Sequence, residues 1–310
     1  MTKTLMGKGG VYFIAGAVLL IFLILVLNHT NFFNKVAEIT GFATSSTTTL
    51  NITLGNSAPT IPIVNAISAQ NPTESTTKSI TFNFTATDTD GASNINTSTA
   101  TAYFQKASET TRSNTSCINL SVGVGNNINF TCTINMYYYD VNGAWTVNTT
   151  ITDKNGGYAT NSTPTFTYNL LTAMAMSPTA MTWQTLSSTD TDVGSNNDPI
   201  IVNNTGNANA LSVNVTSYNL RGETTITDFI YAANFTVENT SQGCTGTAMV
   251  NATSTNVTSS ILFKGNNSIN NNNETSGQEQ IYFCLKGLPP SISQQSYSSS
   301  AYGAWSVAVA

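Results

Sequence analysis

The chain is short of charge. Asp, Glu, Lys and Arg make up 8% of its 310 residues, against about 25% in ordinary soluble domains. Ten basic residues against fifteen acidic ones leave a formal charge of −5. No basic patch exists to neutralise phosphates, so nucleic acid is excluded as a partner. Histidine is scarcer still, since His29 is the only one. A hydroxyl nucleophile needs a neighbouring base, most often histidine, and the whole segment beyond His29 lacks one. The acids sit mostly in turns, not as the cleft-bound pair that glycoside hydrolysis needs. No glycine-rich phosphate loop opens a strand–turn–helix unit. An enzyme is therefore not expected, and with no close Cys-x-x-Cys pair a zinc site is not expected either.

Long apolar runs are missing too, with one exception. Val11–Leu27 is seventeen uncharged, almost wholly apolar residues. As a helix it covers roughly 25 Å, close to the hydrocarbon thickness of a bilayer. Lys3 and Lys8 precede it without an offsetting acid, whereas Lys35 after it is offset by Glu38. Short lysine-rich flanks stay cytoplasmic, so the N-terminus is expected inside and the rest outside. Residues 1–10 then form a cytoplasmic tail, 11–41 a transmembrane helix with an extension ended by Gly41, and 42–57 a Ser/Thr-rich stalk. Leu50–Leu54 reads as a short strand or as more stalk. Two other readings fit the same run: a cleaved signal peptide, or a prepilin-type leader cut near Gly10. No small-x-small site follows Leu27, and Lys8-Gly9-Gly10-Val11 matches a prepilin site poorly.

Ser, Thr and Asn take the place of charge. The Asn-x-Ser/Thr glycosylation pattern occurs about seventeen times, against on the order of ten by chance at this composition. Candidate acceptors are Asn51, Asn83, Asn96, Asn114, Asn119, Asn129, Asn148, Asn161, Asn203, Asn214, Asn234, Asn239, Asn251, Asn256, Asn266 and Asn273. Four cysteines all lie beyond the apolar run. An even number in an exported segment reads as disulfides. The sequential pairing Cys117–Cys132 and Cys244–Cys284 keeps each bridge within one domain and is preferred to the two alternatives.

Beyond residue 58 the hydrophobic period is two. Ile80, Phe82, Phe84 and Ala86 alternate with polar residues, as do Ile118–Val124, Ile128–Ile134 and Trp145–Ile151, with Phe166 and Tyr168 closing the unit. Turns fall at Asp88–Gly91, Asn142-Gly143 and Lys154–Gly157. Short strands with one apolar face, separated by such turns, indicate an antiparallel β-sandwich. A second set follows: Met181–Thr185, Ile200–Val202, Leu211–Val215, Phe229–Val237, Ile261–Phe263, Ile281–Leu285 and Trp305–Val309. The expected fold is all-β, with two tandem antiparallel β-sandwich domains, 58–170 and 171–310, after one N-terminal transmembrane helix.

Phe82–Gly91, Gly143-Ala144-Trp145-Thr146-Val147 and Thr152–Gly157 resemble the immunoglobulin-like and cadherin-like modules of prokaryotic surface proteins. Ile201-Val202-Asn203-Asn204-Thr205-Gly206-Asn207 resembles sandwich domains of archaeal envelope proteins. The layout as a whole is similar to membrane-anchored archaeal cell-surface proteins, which implies an envelope role.

Hard cations want several oxygen ligands. Asp88 and Asp90, with Asp153 in a later turn, could supply some of them for Ca²⁺; a self-contained Asp/Gly turn explains the same residues. Asp190, Asp192 and Asp198 form a second such group. Tyr137-Tyr138-Tyr139 and Trp183 could offer a binding face, but the cover of a sandwich edge is the preferred reading. The expected role is structural or adhesive: a single-pass surface glycoprotein, held by Val11–Leu27, meeting other envelope proteins or copies of itself. Alternatives are a subunit of a pilus-like filament with that helix as its core, and a ligand-binding receptor ectodomain.

Overall fold

The computed structural model describes residues 49–120, 125–241, 243–267 and 277–310. The chain divides into two compact units, 1–55 and 56–310. Val11–Leu27 and its extension lie outside the described residues. No helix among the described residues is long and apolar enough to cross a membrane. Residues 49–55 carry no strand, and Leu50, Ile52 and Leu54 are exposed.

The second unit is all-β. Among the described residues its only helical turns are two 3₁₀ turns, Ala92–Asn94 and Ala232–Asn234. The first half contains β1 (Thr60–Val64), β2 (Thr77–Thr87), β3 (Ile95–Gln105), β4 (Arg112–Asn114), β5 (Ile118–Asn119), β6 (Asn127–Tyr137), β7 (Gly143–Asp153), β8 (Tyr158–Asn161) and β9 (Thr165–Tyr168). These make two antiparallel sheets, β1-β2-β6-β5 and β4-β3-β7-β8, with β9 also on β7.

Strand alternation explains the packing. β2 and β6 pair without interruption from Thr77↔Tyr137 to Thr87↔Asn127. Phe82, Phe84, Phe130, Cys132 and Ile134 therefore share the inner face and meet Phe104, Trp145 and Phe166 of the facing sheet. Ring centroids lie 5.6 Å apart for Phe82–Phe104 and 4.6 Å for Phe104–Phe166. Trp145 is fully buried, and its indole N–H donates to the Val141 carbonyl at 2.9 Å. On the outer face hydroxyls and amides bond to one another across the strands. Ser79 donates to Asn135 at 2.7 Å, Thr85 to Asn129 at 2.8 Å and Thr87 to Asn127 at 2.7 Å. That ladder does without charge what ion pairs do on ordinary sheet surfaces.

The second half contains β10 (Met174–Ser177), β11 (Val193–Gly194), β12 (Ile200–Asn204), β13 (Leu211–Ser217), β14 (Leu220–Gly222), β15 (Phe229–Ile230), β16 (Phe235–Glu238), β17 (Thr247–Ala248), β18 (Thr253–Leu262), β19 (Gln278–Leu285), β20 (Tyr297–Ser298) and β21 (Ser306–Val309). The sheets are β10-β12-β19-β16-β17 with β11 on β19, then β18-β13-β21, then β15-β14-β20. A separate core joins Val202, Phe235, Val237, Ile281 and Phe283 to Val213, Val215, Val257 and Leu262. Trp183 and Trp305 both meet Phe235 edge-on, at 5.2 and 5.1 Å. Each core is thus enclosed in a β-sandwich-like way.

Several elements differ from the sequence reading. Met181–Thr185 forms no strand, although Met181 and Trp183 still pack on the core. Phe229–Val237 is not continuous. The Asn234 side-chain Oδ1 accepts the Tyr231 N–H at 3.0 Å and closes a 3₁₀ turn between β15 and β16. Ile118 and Leu120 point outward, while Cys117 is buried. Its bond to Cys132, on the inner face of β6, sets the phase, and a strand's neighbours must then face the other way.

Candidate functional site

The loops at one end of the first sandwich bring Asp88, Asp90 and Asp153 together with three asparagines. Asp88 and Asp153 are buried. Asp88 accepts the Asp90 N–H at 2.8 Å and the Asn94 amide at 3.1 Å. Asp153 accepts the Asn155 and Gly157 N–H groups at 2.8 and 2.7 Å, and the Asn56 amide at 2.8 Å. Asp90 accepts the Ser57 N–H at 2.7 Å. Asn56 is the hub, because its carbonyl also receives Asn94 at 3.0 Å and Asn155 at 2.7 Å. The Asn56 hydrogen bond, ahead of those from the loop backbone, holds the Asp153 carboxyl below its ordinary range. A β-carbon at Gly157 would collide with that carboxylate, which explains the glycine.

The oxygen-rich donor set suits a hard cation in kind, but its geometry does not. The carboxylate lone pairs are taken by N–H donors, and three amides would have to turn over to present oxygen instead. We expect millimolar Ca²⁺ to leave the thermal midpoint unchanged; a rise, with heat on calorimetric titration, would mean that the amides do turn.

Asp190, Asp192 and Asp198 do not assemble. Asp190 accepts the Ser187 N–H at 2.7 Å, and Asp192 pairs with Lys286. The single trio of metal-type side chains among the described residues is Asp192, Cys244 and Cys284, whose two sulfurs are bonded to each other. Asp198 accepts the Phe283 and Ser195 N–H groups at 3.1 and 3.3 Å, while its other oxygen is buried without a partner. Burial raises its pKa against the pull of those bonds. A raised folded pKa means that the native state holds the proton more tightly than the unfolded chain. Stability is therefore lost as pH climbs through the carboxylate range. Asp198→Asn is expected to raise the thermal midpoint at about pH 7 and to lose that advantage near pH 4 and below. Equal midpoints at neutral pH would refute this.

The bridges are Cys117–Cys132 and Cys244–Cys284, with Cα atoms 4.6 and 5.4 Å apart. Of the glycosylation candidates, Asn273 lies outside the described residues, and none of the others is buried. Among the described residues, Asn204 and Asn207, outside any such pattern, are the buried asparagines. On a strand the two ends of Asn-x-Thr project to the same side, so an outward Asn/Thr face writes the pattern by geometry. Asn129 uses its carbonyl for Thr85. Asn114 and Asn161 instead spend Nδ2, the atom a glycan takes, on the carbonyls of Thr133 and Ile61.

The opposite end of the first sandwich meets the second. Here lies what the sequence reading missed. Asp140 is fully buried and carries a forked bond from Arg112, with Nε at 3.1 and 3.0 Å and Nη2 closer still. Asp140 also accepts the Tyr137 N–H at 2.7 Å. Burial works against the Arg112 charge, but the hydrogen bonds and charge of Asp140 outweigh it, and its pKa is raised. The guanidinium lies 4.4 Å from the Tyr137 ring and 5.8 Å from that of Tyr139, and Tyr138 is buried. The three tyrosines thus line this junction.

From the second half, the turn after β12 completes it. Asn207 donates to the carbonyls of Asp140 and Asn169 at 3.0 and 2.9 Å and accepts the Leu171 N–H at 2.7 Å. Thr205 donates to Glu74 at 2.6 Å, and Lys264 pairs with Glu109 at 3.0 Å. A β-carbon at Gly206 would strike the Leu171 carbonyl. Asn207→Ala removes all three bonds made by this buried side chain and is expected to cost about 3 kcal/mol. It should split denaturant unfolding into two transitions, one followed by Trp145 and one by Trp183 and Trp305. A single transition at the original midpoint would refute the coupling.

No family model matches the sequence, and no curated protein matches it. Among solved structures, the chain aligns with the secreted serine protease VesC from Vibrio cholerae at 11% identity and a TM-score of 0.22. The alignment covers 75% of this chain and 49% of that one, so the chain spans about half its length. So slight a likeness bears on neither fold nor chemistry.

Proposed function

We propose that the protein is a single-pass cell-surface glycoprotein with a structural or adhesive role in an envelope. Val11–Leu27 holds it in the membrane, residues 42–57 lift it clear, and the modules 58–170 and 171–310 stand outside as tandem β-sandwiches. The observation that carries this reading is the pair of disulfides, each with buried cysteines. Such bridges persist where the compartment is oxidising. The exclusion of every described acceptor asparagine from the buried set supports it. Occupancy is expected at Asn129 and reduced at Asn114 and Asn161, whose amide nitrogens are already engaged.

Protease treatment of intact cells tests the topology. Cleavage beyond residue 60 without lysis is the expected result, and protection until lysis would overturn the proposal. Intact-mass measurement reads the N-terminus and glycan load together. A start at Met1 or Thr2 fits the anchor; a start near Gly10 would favour a filament subunit.

A further inference from the structure

The β15-β14-β20 sheet lies at the end of the second sandwich away from the junction, because β13 leads away from the junction turn and β14 follows it. Its inner face packs on the core through Leu220, Ile230 and Tyr297. Its outer face follows from register. Arg221 sits opposite Phe229 on one side and Ser298 on the other. Tyr231, two residues beyond Phe229, projects to the same side. Tyr302 closes the row from the following loop, where Gly303 at φ 121 turns the chain against the Tyr218 ring. Phe229 is 6.3 Å from Tyr231 and 6.0 Å from Tyr302, so three rings stand side by side. Tyr231 is 52% and Tyr302 47% exposed.

Single exposed apolar side chains need no explanation, but a contiguous row does. The charge in this row is equally telling. The chain has two arginines. Arg112 is spent on Asp140. Arg221 lies 5.8 Å from the Tyr302 ring and forms no ion pair or hydrogen bond among the described residues. Its planar fork of donors is left for an acceptor outside the protein. Around it stand hydroxyls, Ser298 and Ser300 sharing a hydrogen bond at 2.8 Å. Asp228 faces the other way and accepts the Ser293 N–H at 3.1 Å. Glu223 is exposed beyond the end of β14.

We propose that this face binds an acidic polysaccharide. A uronate carboxylate pairs with the Arg221 fork, the apolar faces of successive sugar rings lie on Phe229, Tyr231 and Tyr302, and the serine rim meets the sugar hydroxyls. The rigid, amphipathic tyrosines supply contact area at low entropic cost. The inference deepens the cell-surface reading but is measured on purified protein, so its failure leaves the topology untouched and a failed topology leaves it standing.

Affinity gel electrophoresis of the full chain in detergent tests it, with polygalacturonate, dextran or poly-L-glutamate in the gel. Retardation by polygalacturonate alone is expected. Arg221→Gln should weaken it about tenfold or more, the loss of a charge-assisted bond, and Tyr231→Ser should weaken it comparably. Glu223→Gln should strengthen it. Unchanged thermal midpoints check that these substitutions leave the fold intact. The proposal is overturned by absence of retardation, by equal retardation in dextran or poly-L-glutamate, or by wild-type retardation in both weakened variants.

Discussion

Replacing Arg112 by methionine is expected to cost about 4 kcal/mol, because it strands a carboxylate that is wholly enclosed. Asp140 has no water to turn to, and its remaining donor among the described residues would be the Tyr137 N–H. The Asp140 carbonyl also receives Asn207, so disorder at residue 140 reaches the second sandwich. Arg112→Lys keeps the charge but loses the fork and should cost less. The double variant Arg112→Met/Asp140→Leu should be milder than Arg112→Met alone, since removing both partners removes the buried charge. Denaturant titration of the four proteins measures this. A single variant with unchanged stability would show that solvent reaches Asp140.

The second large effect is expected at the bridges. Cys244–Cys284 closes forty residues and Cys117–Cys132 fifteen. In the chain-entropy account these contribute about 4 and about 3 kcal/mol. Cys244→Ala/Cys284→Ala should therefore lower the thermal midpoint more than Cys117→Ala/Cys132→Ala. A reductant should lower the wild-type midpoint and leave the quadruple alanine variant unmoved. The opposite order would place the contribution in native contacts instead of loop closure.

How much was legible in the sequence depended on which side chains face inward. β2, β6 and β7 announced themselves because large apolar residues alternate with polar ones. β3 gives no such signal because Ala100 and Ala102, two of its inward residues, are small. β18 is legible only at its end because Thr255 and Ser260 stand inward beside Val257 and Leu262. Its phase also changes at Ser259, where φ is 64, which turns Ile261 outward. Composition and spacing gave the all-β class and the aspartate turns. They did not give Asn56, Asn94 and Asn155 as partners of those aspartates, since nothing in an asparagine-rich chain sets three amides apart. Nor did they give the Arg112–Asp140 contact, although a chain with two arginines invites the question of what each is for.

The placement of the two ends of the first sandwich has a mechanical consequence. The chain enters at Asn56, gripped by Asp153, and leaves past Tyr168 at the opposite pole, where Asn207 takes hold. A pull between Asn56 and Asn207 therefore runs lengthwise along β2, β6 and β7. Hydrogen bonds between those strands lie across the pull and must yield in shear, many together, instead of peeling one by one as a zip does.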